Sequence, residues 1–220
     1  MASFFNLILD TLAPSGLTLL LNNGATYATS STVTASIAVE DATTTGYQMK
    51  IWGTKAAATE EKASWETFAA SKSLVLAEGD GLKTVHIKVR DDVGNESAEA
   101  TASITVNTAV PVVTITGPDK SKISKVTGFD VCAFSFTSDV DFEEYTVRVV
   151  PSESSLNTAG TQIPVTGGST NTSGTTGGYK KNTAINVTIN GVDLETASSG
   201  DGTKIVKVFV KNAAGTWSVA

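Results

Sequence analysis

Four carboxylate or amide side chains crowd into the stretch DDVGNES: Asp91, Asp92, Asn95 and Glu96. Hard oxygen clusters of this kind hold Ca²⁺. The same stretch also suits a hairpin turn, in which Gly94 and Asn95 supply backbone torsions that other residues resist. A second copy of the stretch weighs between the two. Gly79 to Ser97 reads GDGLKTVHIKVRDDVGNES and Gly200 to Ser218 reads GDGTKIVKVFVKNAAGTWS, aligned without a gap. The second copy keeps the glycine, as Gly215, and has Asn212 and Ala213 in place of Asp91 and Asp92. A folding requirement sits on the glycine and a metal requirement on the acids, so the sequence predicts a turn and no metal site.

Catalysis is not expected. A serine or threonine nucleophile needs an oriented base, and His86, the only histidine, falls on the outer, solvated face of its strand. Glycoside hydrolysis needs two carboxyl groups facing each other across a cleft, and nothing in the pattern builds one. The expectation is a protein with no enzymatic activity and no cofactor. Aromatic side chains offer another chemistry, stacking against the apolar faces of sugars. Tyr47 and Trp65 are assigned to the core or its rim, as large aromatics usually are. Trp52 and Trp217 are the exposed candidates for contact with a glycan.

The elements that carry these residues are strands. Side chains on a strand change face at every residue, so a half-buried strand is apolar at every second position. Val85, Ile87 and Val89 share one face, and His86, Lys88 and Arg90 the other. The period recurs in Cys132, Phe134 and Phe136, in Tyr145, Val147 and Val149, and in Ile185, Val187 and Ile189. Helical spacing is nearly absent. Only residues 56–71 have helix-favouring composition, and they read better as a loop holding Trp65 and Phe68 against the core. The formal charge of -6 disfavours a nucleic-acid partner. A single cysteine, Cys132, leaves no internal disulfide and is expected to be buried.

The repeat divides the chain. Gly79 and Gly200 are offset by 121 residues, whereas Tyr47 and Tyr145 are offset by 98, so the second copy carries 23 extra residues between Tyr145 and Gly200. Much of the excess falls in a Ser/Thr/Gly-rich insertion around 152–182, read as a long exposed hairpin or loop. The boundary falls at NTAVP, Asn107 to Pro111. Each copy then holds about seven short strands with turn signals every 8 to 12 residues, the pattern of a β-sandwich. The expected organisation is an N-terminal apolar segment over 1–9, one domain over 10–108 and a second over 109–220.

The ordered motifs DTLAPSGLTLLLNNGATYATSSTVTASIAVED, YQMKIW, WETF and GDGLKTVHIKVRDDVGNES resemble the bacterial immunoglobulin-like domains found in tandem in bacterial surface proteins and in tailed-phage virion proteins. The resemblance covers Asp10 to about Val106, and the second copy is similar in plan. It departs in its longer segment after Tyr145, in having no counterpart of Trp65, and in Asn212 and Ala213. The resemblance implies an all-β fold of two tandem immunoglobulin-like β-sandwich domains, structural or adhesive and without enzymatic activity.

The N-terminus has no basic region and no cleavage signal, and no run reaches the roughly 18 apolar residues of a membrane helix. The leading expectation is therefore a virion structural protein of a tailed phage, a capsid or tail decoration. Its expected partners are other virion proteins, in a homo-oligomeric or symmetric arrangement, with weak adhesion to a cell-surface glycan and no membrane. The alternative is an adhesive or glycan-binding module of a bacterial surface protein.

Two features of the copies remain. In the first, Gly94 is followed by AEATASITV, a final strand; in the second, the sequence stops at Ala220, where that strand should begin. At the other end SFFNLILD, Ser3 to Asp10, is a strand-length apolar segment with no place in the first repeat. Either this segment packs on its own first domain, or it adds to an exposed edge of a neighbouring subunit or virion protein. In the second case Phe4, Phe5, Leu7, Ile8 and Leu9 supply the buried attachment side chains.

Overall fold

A computed structural model describes residues 5–41 and 43–219. Phe4, one of the expected attachment residues, lies outside them. The chain forms two compact units, Met1–Thr108 and Ala109–Ala220.

Unit 1 is built from eight strands: β1 (Thr18–Leu21), β2 (Tyr27–Ala28), β3 (Thr32–Ala38), β4 (Gln48–Trp52), β5 (Glu66–Thr67), β6 (Ser71–Val75), β7 (Gly81–Arg90) and β8 (Ala100–Val106). One sheet has the order β1-β3-β6 and the other β2-β8-β7-β4-β5. This is the strand order of an immunoglobulin-like sandwich. Alternation dictates the packing. Val85, Ile87 and Val89 of β7 are fully buried and meet Met49, Ile51, Ile104 and Val106 of the same sheet, with Leu19, Leu21, Val33, Ile37 and Leu74 opposite. Each such side chain contributes about 1.5 to 3 kcal/mol by leaving water. The last strand, β8, pairs with β7 over Gly81 to Ile87 and packs against β1. It thereby closes the side of the sandwich.

Unit 2 follows the same plan with β9 (Val113–Thr116), β10 (Val131–Ser138), β11 (Glu144–Val150), β12 (Thr161–Gln162), β13 (Ser173–Gly174), β14 (Ile185–Asn190), helix α1 (Gly191–Ala197) and β15 (Ile205–Lys211). One sheet has the order β14-β10-β9; in the other, β11 pairs with β12, β13 and β15. Its core gathers Phe136, Phe142 and Tyr145 with Val147, Val187 and Val210. The molecule is thus two tandem β-sandwiches. Among the described residues no helix is long and apolar enough to cross a membrane.

Three expectations about unit 2 are corrected. The insertion is not a free loop: β12 and β13 both pair with the edge of β11, and Ile163 is fully buried in the core. Part of the extra length lies elsewhere, in α1, which the sequence reading missed. Asn190 caps this helix by accepting from Val192 N at 2.8 Å. Cys132 is half-exposed rather than buried, because the sheet face it occupies borders an open cavity.

The helix and the insertion hold each other. Asp193, with no exposed surface, accepts from Gly167 N at 2.6 Å through Oδ1 and from Ser169 N at 2.8 Å through Oδ2. Burial alone would raise its carboxyl, but the hydrogen bonds from Ser169, Gly167 and Thr166 outweigh it and hold the group below the ordinary value of 3.8. Lys207 adds a second tie, donating to the carbonyls of Glu153 and Ser155 at 2.6 and 2.9 Å.

Candidate interaction site

The DDVGNES stretch folds as a turn organised by Asp91. Its Oδ1 accepts from Val93 N at 3.0 Å and Asn95 N at 2.8 Å, and Oδ2 accepts from Asn95 Nδ2 at 2.8 Å. Burial pushes this carboxyl up, yet those hydrogen bonds win and hold it below 3.8. Gly94 takes a φ of 93° and Gly215 of the second copy 86°, torsions that a side chain resists. The acid is therefore already surrounded by N–H donors, a poor environment for a cation. Asp92 and Glu96 are exposed. Among the described residues no three His, Cys, Asp or Glu side chains gather where they could hold a metal ion.

The outer face of β4 and β7 is covered, which corrects two aromatic assignments. Trp52 is only 7 % exposed. Its ring stacks on His86, directly across the ladder, with centroids 5.4 Å apart and planes 9° from parallel. It is not an exposed sugar platform. His86 is half-buried rather than solvated, and its Nδ1 lies 2.6 Å from Glu99 Oε1. Residues 60–65 close over the same face: Glu60 accepts from Lys88 at 3.0 Å, and the Arg90 guanidinium sits 4.4 Å from the Trp65 ring centroid. Trp65 is thus an outer-face residue, not a core plug, whereas Phe68 and Tyr47 do pack against the core. Trp217 is half-buried, with Lys211 Nζ 5.2 Å from its ring centroid.

Apolar side chains are exposed at many positions along the chain, and two regions concern strand edges. The first is the N-terminal segment. Phe5, Leu7, Ile8 and Leu9 are 84 to 90 % exposed, and the backbone joins its own unit only further along, where Asn95 donates to Asp10 O and Ser15 N donates to Asp41. The expectation that this segment packs on its own unit is not met for these side chains. The second is the flank of β15. On one side β15 pairs with β11 from Ile205 to Lys211; on the other, its end is held by the Lys211–Trp217 bridge and by Ser218, whose N donates to Val210 O at 2.8 Å and whose Oγ accepts from Val210 N at 3.1 Å. Beside it opens a cavity of about 710 Å³ lined by Ile115, Phe134, Ile189, Leu194 and Val206. Ile115 is 44 % exposed.

The sequence reading missed this cavity. The apolar side chains that line it come from β9, β10, β14 and α1, whose proximity only the fold provides.

No family model and no curated protein sequence matches the chain. Among solved structures, the fibronectin(III)-like modules of CbhA from Clostridium thermocellum are similar with a TM-score of 0.48 and 12 % identity, over 91 % of this chain and 89 % of that one. The D00–D0 domain of intimin is similar at 0.32 and 16 %, over 90 % and 93 % of the two chains. A putative membrane anchored protein from Corynebacterium diphtheriae gives 0.33 and 14 %, over 93 % of this chain and 56 % of that one.

Proposed function

We propose that this chain is a non-enzymatic structural module, a capsid or tail decoration of a tailed-phage virion, whose immunoglobulin-like sandwiches work by attachment. The observation that supports this reading most directly is where polar and apolar groups fall. Its histidine is stacked and paired with Glu99, and its buried acids Asp91 and Asp193 hold backbone N–H groups. The exposed apolar surface includes a strand-length run at residues 5–9. Surface of that kind suits adhesion to other protein rather than turnover of a small substrate. The resemblance of Asp10 to Val106 to bacterial immunoglobulin-like domains fits a virion protein and an adhesive module of a bacterial surface protein equally.

The test is localisation. Gradient-purified particles digested and read by mass spectrometry should contain the chain at a fixed ratio to the major capsid or tail protein. Recovery in a bacterial cell-surface fraction, and absence from particles, would assign it instead to a bacterial adhesive module.

A further inference from the structure

We infer that the turn Asn22–Gly24 is a self-modifying site, at which Asn23 loses its side-chain amide to water through a cyclic imide closed by Gly24 N, while the fold locks the same dipeptide at Asn190 and Gly191 against the reaction. The sequence contains Asn-Gly at these two places. The dipeptide is reactive because the nucleophile is the main-chain nitrogen of its second residue. Glycine has no side chain to shield that nitrogen or to restrict the rotation that brings it onto the asparagine carboxamide.

The two copies of the dipeptide sit in opposite surroundings. Asn22, Asn23 and Gly24 lie between β1 and β2 with φ of 45°, 57° and 84°, three successive left-handed residues. Leaving such a torsion is no loss for a residue that carries a Cβ. Asn23 and Gly24 are exposed. Among the described residues the Asn23 side chain takes one long hydrogen bond, from Ser36 Oγ to its Oδ1 at 3.4 Å. A Cβ built on Gly24 would come no nearer than 4.0 Å to another atom, at Leu20, so the peptide between Asn23 and Gly24 has room to turn.

At the second site each atom that the reaction needs is held. Asn190 is 7 % exposed. Its Oδ1 accepts from Val192 N at 2.8 Å, and its Nδ2, the leaving group, donates to Asp130 Oδ2 at 3.1 Å. Gly191 N, the nucleophile, donates to Asp130 O at 2.7 Å. A Cβ on Gly191 would meet Ser124 O at 1.9 Å, so this peptide is packed too closely to swing.

At Asn23 hydroxide takes the proton of Gly24 N, the nitrogen bonds to Cγ, and the bond from Cγ to Nδ2 breaks as ammonia leaves with a proton from water. A second water then opens the imide. Cleavage of the new bond at Cγ leaves an aspartyl residue; cleavage at the main-chain carbonyl leaves an isoaspartyl residue, whose main chain runs through Cβ and Cγ. No oxidation or reduction is involved. Both products add a negative charge beside β1, and the isoaspartyl form lengthens the main chain of a turn whose place is fixed by Thr34 N donating to Asn22 Oδ1 at 2.8 Å.

The reaction needs water and this turn alone, so it is separable from the virion setting and is tested on purified full-length protein. Samples warmed in mildly alkaline buffer are followed over days by peptide mapping, with fragment ions that separate Asn22 from Asn23 and aspartyl from isoaspartyl products. In the folded protein Asn23 should convert at least about ten-fold faster than Asn190. In guanidinium chloride, where neither site is held, the two should convert at similar rates. Asn23 that stays intact in the folded protein overturns the inference. So does conversion of Asn190 at the same rate as Asn23 in the folded protein, or a difference between the sites that persists in guanidinium chloride, since the protection would then not come from the fold.

Discussion

Asp91 and Asn212 do the same work in the two units. Asp91 Oδ1 accepts from Asn95 N at 2.8 Å, and Asn212 Oδ1 accepts from Thr216 N at 3.0 Å, across turns that align residue for residue. The next layer matches too: Ser97 Oγ accepts from Val89 N at 3.0 Å and Ser218 Oγ from Val210 N at 3.1 Å. An amide replaces a carboxylate without loss of the turn, so the conserved geometry needs an acceptor oxygen, not a charge.

Asp91→Asn is therefore expected to lower the urea midpoint of unfolding less than Asp91→Ala does. Ser97→Ala should cost about 1 kcal/mol through the hydrogen bond lost at Val89. Calcium or EDTA should leave the melting temperature unchanged; a rise of several degrees with calcium, abolished in Asp91→Ala, would show that the turn binds metal.

The two faces of β7 should separate in mutagenesis. Ile87, fully buried, is expected to lose about 2 to 5 kcal/mol on truncation to alanine. His86→Ala should cost about 0.5 to 1.5 kcal/mol, the worth of its ring contact with Trp52. A double-mutant cycle of His86→Ala with Trp52→Ala should show coupling, and additive losses would mean that the stack contributes nothing.

Trp52 and Trp217 should differ in accessibility. In single-tryptophan variants, acrylamide should quench Trp52 fluorescence weakly, since 7 % of that residue meets solvent. Trp217, half-buried and beside Lys211, should be quenched more. Equal quenching would mean that the stack of Trp52 on His86 does not shield the indole in solution.

Acid should loosen unit 2 through Asp193. Its folded pKa lies below the ordinary 3.8, so its contribution is complete above that value and fades as pH falls through the folded one. Asp193→Asn should cost on the order of 2 kcal/mol at neutral pH, because an amide cannot accept from both Gly167 and Ser169 N–H groups. The variant should lose less further stability on acidification than the wild type. An equal slope in urea melts between pH 5 and pH 3 would show that Asp193 is not the group responsible.

The sequence disclosed what is periodic. Val85, Ile87 and Val89 could be placed inward because a two-residue alternation has one physical explanation, and the turn at Gly94 could be read because its copy at Gly215 had shed the acids. Trp52 was misplaced because alternation says only which side of a sheet a residue faces, not whether a loop covers that side. On that side Trp52 stacks on His86, and residues 60–65, which carry no period of their own, lie over Lys88 and Arg90 of the neighbouring strand. The insertion was misread for a related reason: its order comes from Lys207 and Asp193, well separated from it along the chain. A seven-residue helix such as α1 is too short to show a helical period.

The pairing of β2 with β8 has a mechanical consequence. These strands run parallel, Tyr27 opposite Thr105 and Ala28 opposite Val106, one near the entrance of unit 1 and one at its exit. Tension pulling the two ends of the unit apart loads their hydrogen bonds in shear, so that they must break together. In unit 2 the first strand β9 and the last described strand β15 belong to different sheets, and among the described residues no ladder joins them. Stretched singly between tethers, an isolated chain should therefore yield first in unit 2, at low force. Unit 1 should give way later in one sharper step.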